Sequence, residues 1–220
     1  MISHLSLLKC FLSFLLLANS SFASEIRLVF ANETSINISA KLQKDQVVQD
    51  SAKFEAIKGK SLVMESQLSG IHCVSIDKKK SFYIYINDKA DLEVIVDLEK
   101  GKFEVINSFE SKLLNRIFEN WHREVAILKT LKEPTFEHFD KAFDSLASEI
   151  MATRNPEIID WASVFLLDLE KEPKNYMLSL EKFLDFEQLV REKYPNYKFS
   201  KMKANFGVRK DNQSGYYWKY

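Results

Sequence analysis

The stretch from Ser81 to Trp121, SFYIYINDKADLEVIVDLEKGKFEVINSFESKLLNRIFENW, changes rhythm part-way along. Its first half alternates apolar and polar residues, the period of a pleated strand with one face buried. Leu92, Val94 and Val96 fall on one face, and Phe103 shares a face with Val105, while Glu93, Asp97 and Glu104 point away. From Leu114 the apolar residues recur at steps of three and four, the period of a helix. The change falls at Asn107, which predicts a helix start there, with Asn107 as cap and Glu110 at the third position of a capping box.

Upstream, the pattern of strands continues. IRLVF, SINISAKL, AKFEAI, SLVMES and IHCVSI are separated by turn-like segments, among them polar Lys44 to Asp50. Lys78, Lys79 and Lys80 read as the solvated tip of a hairpin. Regular spacing of short strands predicts an antiparallel β-meander or sandwich over residues 24–107. Downstream, helices follow one another without an intervening strand. Thr135 caps a segment with a Phe136, Phe139, Phe143, Leu146 and Ile150 stripe. Asn155-Pro156-Glu157 starts a third helix, with Ile158, Trp161, Ala162, Phe165 and Leu169 on one face. Two further helices are predicted, over Tyr176 to Leu184 and from Asp185 to Tyr194, and a short one from Ser200 to Phe206. Strands first and helices afterwards define an α+β chain: a β-domain, a helical bundle over 108–207 and a basic aromatic tail over 208–220.

Composition narrows the function. The 220 residues carry 31 basic and 31 acidic side chains, so no global field steers the chain toward nucleic acid. Only 5 Gly and 4 Pro, against 17 Phe, indicate a packed core and not a disordered chain. Lys9, the apolar run Cys10 to Ala18, and Ser21 and Ala23 at the −3 and −1 positions predict a cleaved signal peptide over 1–23. The mature chain is then expected in a periplasm or outside the cell, with no transmembrane segment. Cleavage leaves Cys73 as the single thiol, which forms no internal disulfide and is expected to be buried and inert.

Catalytic and metal motifs are missing: the chain contains no CxxC, HExxH, GxSxG or phosphate-binding glycine loop. His72 and Cys73 are neighbours on a strand and face opposite sides, so they do not grip one metal. His122 lies beside the first helical stripe and His138 in the first turn of the next helix. Asp140 with Asp144 forms an acid pair, and Glu119 with Arg123 a surface helix pair. Asn32, Asn37 and Asn212 match the glycan-acceptor pattern. Neither a cofactor nor a catalytic residue is assigned. Candidate interaction residues are Tyr83 and Tyr85, opposite Phe82, Ile84 and Ile86, and Tyr216, Tyr217 and Trp218 of the tail, since Tyr and Trp suit interfaces. Cys73 is the candidate thiol.

The segments SFYIYINDKADLEVIVD and KFEVINSFESKLLNRI, with PEIIDWASVFLLDLE and DFEQLVREKYPNYKF after them, resemble the N-terminal β-domain and helical segment of TlpA/ResA-type thioredoxin-like envelope proteins. Asn107-Ser108 stands where that family often has Gly-Ser, and the chain ends where the thioredoxin domain would begin. The resemblance therefore implies the fold and the envelope setting, but not the redox activity. Two readings follow: a non-enzymatic binding or interaction module using the β-domain, a groove or the tail, and an accessory to a thioredoxin-like partner. A hydrolase with convergent acids ranks behind both.

Overall fold

The structure is a computed structural model and describes residues 23–77, 80–87, 91–169, 180–202, 209–210 and 216–217. The predicted signal peptide lies outside the described residues, apart from Ala23. By its contacts the chain divides into two units, Met1–Asn107 and Ser108–Tyr220.

Eight strands build the first unit: β1 (Ser24–Phe30), β2 (Ile36–Lys44), β3 (Val47–Ala56), β4 (Ser61–Ser66), β5 (Gly70–Ile76), β6 (Lys80–Ile86), β7 (Leu92–Asp97) and β8 (Lys102–Val105). They form two four-stranded sheets, ordered β4-β1-β7-β8 and β3-β2-β5-β6. Alternation along β1, β2, β5, β6 and β7 sends every second side chain inward. Ile26, Leu28 and Phe30 of β1 and Leu92, Val94 and Val96 of β7 are buried with Ile38, Ala40 and Leu42 of β2 and Phe82, Ile84 and Ile86 of β6. One core is thus shared by both sheets. Phe30 stacks on Phe54 at 5.5 Å, and Phe82 on Phe103 at 4.6 Å, each pair joining one sheet to the other. Burial of each such side chain contributes about 2 kcal/mol.

The order of the sheets is not that of a simple meander. β6 and β7 are consecutive but lie in different sheets, and β7 pairs in parallel with β1, Leu28 opposite Val94. Periodicity of two marks a strand as half-buried, and a strand with one apolar face satisfies that in either layer. The Lys44 to Asp50 turn is also much shorter than expected. Lys44 pairs with Val47, leaving Asp45 and Gln46 as a two-residue turn with φ of 47° and 68°. Val47 to Asp50 belongs to β3. Lys80 is likewise no solvated tip: its ammonium donates to the Leu98 carbonyl. Lys78 and Lys79 lie outside the described residues.

The second unit contains α1 (Phe109–Thr130), α2 (Phe136–Met151), α3 (Pro156–Asp168) and α4 (Leu180–Lys193). Ser108, not Asn107, caps α1, its Oγ accepting the Ser111 N–H at 3.1 Å. Asn107 instead closes the β7 end: its Oδ1 accepts the Glu93 N–H and its Nδ2 donates to the Asp91 carbonyl. Asn155 caps α3 as predicted, accepting the Glu157 N–H at 3.0 Å. The predicted stripes are buried at Leu114, Ile117 and Leu128 of α1, at Phe139, Phe143, Leu146 and Ile150 of α2, and at Ile158, Ala162 and Phe165 of α3. Phe136 is exposed. Asp185 does not start a new helix. α4 runs through it, because no Gly or Pro interrupts the chain there and Phe183, Phe186 and Val190 form one buried line. Residues 176–179 lie outside the described residues.

Beyond α4, Ser200, Lys201 and Met202 begin a helical turn whose N–H groups all donate to the carboxylate of buried Asp160 on α3, at 2.9 to 3.1 Å. A distant acid thus takes the place of a local cap. Residues 203–206 of this predicted helix lie outside the described residues. In the tail, β9 (Arg209–Lys210) pairs antiparallel with β10 (Tyr216–Tyr217). Among the described residues no helix is long and apolar enough to cross a membrane. The observed class is α+β.

Candidate functional site

Two places gather side chains that could meet a partner, one in each unit. In the β unit, strand alternation turns Tyr83 and Tyr85 of β6 away from the shared core, as expected. The register sets Tyr83 opposite Cys73 and Tyr85 opposite Ile71 on the same face. All four are half-buried. Burial pushes the Cys73 thiol above its ordinary value, against a hydrogen bond from Ser81 that pulls it down. Burial also raises the Tyr83 phenol, with the adjoining Cys73 adding to it. A thiol held in its protonated form is a weak nucleophile. Tyr216 and Tyr217 are placed only by the pairing of their backbones, and Trp218 lies outside the described residues.

In the helical unit, α1 and α2 border an open groove of about 480 Å³. Its rim on α1 carries Arg116, Glu119 and Arg123, and α2 contributes Ser145, Ser148 and Glu149. Beneath lies Asn120, 5% exposed. Its amide donates to Glu149 Oε2 at 2.7 Å and to Ser145 Oγ at 3.5 Å, and its carbonyl oxygen accepts from Arg123 Nη2. Arg116 Nε pairs with Glu149, and Arg123 Nη2 reaches Glu124 at 3.4 Å. The two carboxylates are largely hidden, at 16% and 15% exposure, while the arginine side chains stay 61% and 63% exposed. The groove floor therefore grips each guanidinium from behind and leaves its remaining N–H groups turned outward. The predicted Glu119–Arg123 pair does not form, because Asn120 and Glu124 take the arginine.

A second recess, about 460 Å³, lies on the β unit along β2 and β3. Its acids are already spent. Glu55 accepts from Lys60 and Ser35, and Asp77 Oδ1 accepts the Ser39 N–H at 2.7 Å.

The described histidines, His72, His122 and His138, have structural partners. His72 is fully buried between the sheets; its Nδ1–H donates to the Gly70 carbonyl at 3.0 Å and its Nε2 accepts from Ser66 Oγ at 2.9 Å. Ser66 ends β4 and His72 lies in β5, so this bond joins strands of different sheets. A Ser–His pair also has the spacing of an activated nucleophile, but Ser66 is 3% exposed and no substrate reaches it. Burial pulls the His72 pKa below its ordinary value, partly opposed by the Gly70 bond. His138 serves α2, where its Nδ1 accepts the Thr135 N–H at 3.1 Å. His122 is exposed and meets the Phe118 ring edge-on at 4.4 Å. Lys182 of α4 sits between Asp140 and Asp144, at 3.6 and 2.9 Å, so those acids form an ion cluster and not an acid–base dyad. Among the described residues no group of three or more His, Cys, Asp and Glu side chains could hold a metal ion. Asn32 is fully buried, with its amide donating to the Thr34 and Ala56 carbonyls, which removes it as a glycan acceptor. Asn37 is exposed on β2, and Asn212 lies outside the described residues.

No family model, curated protein or solved structure matches the chain.

The sequence marked the tyrosine face but missed the groove. Its floor residue, Asn120, follows Glu119 between Ile117 and Trp121, beside the apolar stripe.

Proposed function

We propose that the chain is a non-enzymatic binding or protein-interaction module of the bacterial envelope, related to the part of TlpA/ResA-type proteins that precedes their thioredoxin-like domain. In this reading the strands form a sandwich, the helices form a bundle, and the partner is a small molecule, an envelope protein or a thioredoxin-like protein. One observation carries it: the groove between α1 and α2 has a buried polar floor that holds two open arginines in place. An apolar seam would join two helices at least as stably, since desolvating a carboxylate costs several kcal/mol, ~3 or more, before its partners repay it. A purely structural contact has no need of that arrangement.

Amide NMR of the full chain, titrated with a panel of amino acids, short peptides, organic acids and oligosaccharides, tests this. The reading expects at least one compound to shift resonances of residues 116–123 and 145–152 in a saturable way. A panel that leaves both segments unmoved refutes it. The accessory reading has two forms, one feeding a separate thioredoxin-like partner and one using Cys73 as an exchange thiol; the raised thiol speaks against the second.

A further inference from the structure

We propose that the α1–α2 groove takes a small zwitterionic ligand, one bearing a free ammonium and a free carboxylate, of the size of an amino acid or short peptide. This rests on the binding reading above and names the ligand class for the same groove.

Arg116, Glu119 and Arg123 are spaced by three and four residues, which puts them in one line on the face of α1. The line spans about 10 Å along the helix axis, from seven residues at about 1.5 Å each. Its charges run plus, minus, plus. In an ordinary solvated helix face Glu119 would pair with Arg123 one turn later. Here both arginines are turned to groups behind them, Arg116 to Glu149 and Arg123 to Asn120 and Glu124. Glu119 is exposed, and among the described residues it makes no hydrogen bond or ion pair.

The three rim charges therefore select by sign. A purely anionic ligand that reaches either arginine also meets the Glu119 carboxylate. A purely cationic ligand that reaches Glu119 meets a guanidinium on each side. A ligand carrying both charges within about 10 Å of each other, as a flexible short peptide does, satisfies Glu119 with its ammonium and one guanidinium with its carboxylate. Ser148 borders the groove from α2, as does Ser145, whose hydroxyl already donates to Glu124 Oε1 at 3.3 Å. The groove, about 480 Å³, falls within the range of small-molecule sites. Because the guanidiniums are already held, binding loses less side-chain entropy than it would with free arginines.

The test uses three probes on the full chain, followed by amide NMR and the Arg Nε–H signals. They are triglycine, which carries both charges, N-acetyl-triglycine, which carries only the carboxylate, and N-acetyl-triglycine amide, which carries neither. Triglycine should shift Arg116, Asn120 and Arg123, and the neutral probe should not. The Glu119→Gln variant, at an exposed and unpaired position, keeps the fold. It should weaken triglycine about fivefold and tighten N-acetyl-triglycine, so that the preference reverses. Equal shifts by the neutral probe, or a Glu119→Gln variant with unchanged preference, overturn the proposal. Binding of the carboxylate-only probe at least as tightly as triglycine also overturns it, yet leaves the groove standing as a binding site. Silence with all three overturns the zwitterion, and the wider panel above then decides the binding reading separately.

Discussion

Acid should loosen the β unit through a single side chain. His72 has no exposed surface, and burial is the largest cause of its lowered pKa; nearby Lys44 lowers it further, while the Gly70 bond and Asp45 oppose the change. In the unfolded chain the ring titrates near its ordinary 6.5. Between that value and the depressed folded value, the unfolded state binds a proton that the folded state refuses. Stability therefore rises with pH across this window and is fully present above 6.5; it is lost as pH falls through the window toward the folded pKa. The slope there is about 1.4 kcal/mol per pH unit. The loss comes from burying charge and not from a broken contact, since the Ser66 hydroxyl can turn to donate to the Leu68 carbonyl and accept from a protonated ring. Replacing His72 by Gln removes the titration and leaves buried partners unmatched, at a cost of about 1–3 kcal/mol near neutral pH. Urea unfolding of both proteins from about pH 8 to about pH 5, read on NMR signals of the β unit, stays above the range where ordinary carboxylates titrate. The wild type should be the more stable at the alkaline end, and the gap should narrow steadily below 6.5. A gap that keeps the same size across the whole range would refute the reasoning.

Three further outcomes can be checked in the same protein. Cys73 should react with a thiol reagent at least ~10-fold more slowly in the folded protein than in denaturant, given its raised pKa and half-buried position; equal rates would revive the exchange reading. Asp160→Ala should remove the acceptor shared by the Ser200, Lys201 and Met202 N–H groups and cost about 2–3 kcal/mol. Its melting curve and faster proteolysis near residue 200 would show it, and an unchanged protease pattern would speak against the cap. Changing Asp45-Gln46 to Asn-Gly should stabilise the β2–β3 hairpin by about 1 kcal/mol, because both positions have positive φ. A fall in the unfolding midpoint would contradict that turn geometry.

How much of this was legible beforehand differs from element to element. Alternation alone set Tyr83 and Tyr85 on the face opposite Phe82, Ile84 and Ile86, and β6 divides that way, because a strand's side-chain period admits no other division; that the latter three form the buried face came from the structure. The cap of α1 was misplaced by one residue, since Asn107 and Ser108 are both good caps. The choice fell to Glu93 and Asp91, which claim the Asn107 side chain from across the sheet. α4 was split at Asp185 because Asp with Gln188 has the spacing of a helix start; the continuous buried line of Phe183, Phe186 and Val190 outweighs it. The groove was invisible. Its floor joins Asn120 to Ser145 and Glu149, residues 25 and 29 positions apart in the chain.

Local chemistry written along the chain determined where strands and helices lie, which face of each is apolar, and that the β region precedes the helical one. These follow from backbone period, capping and turn propensity, which act over a few residues. Only the tertiary structure decided that β7 joins β1 in parallel, that His72 is sealed between the sheets, that Asp160 caps a turn 40 residues away, and that two arginines are held over one groove. Each of those depends on which distant groups meet once water has left. Contact of that kind has no period for a sequence to display.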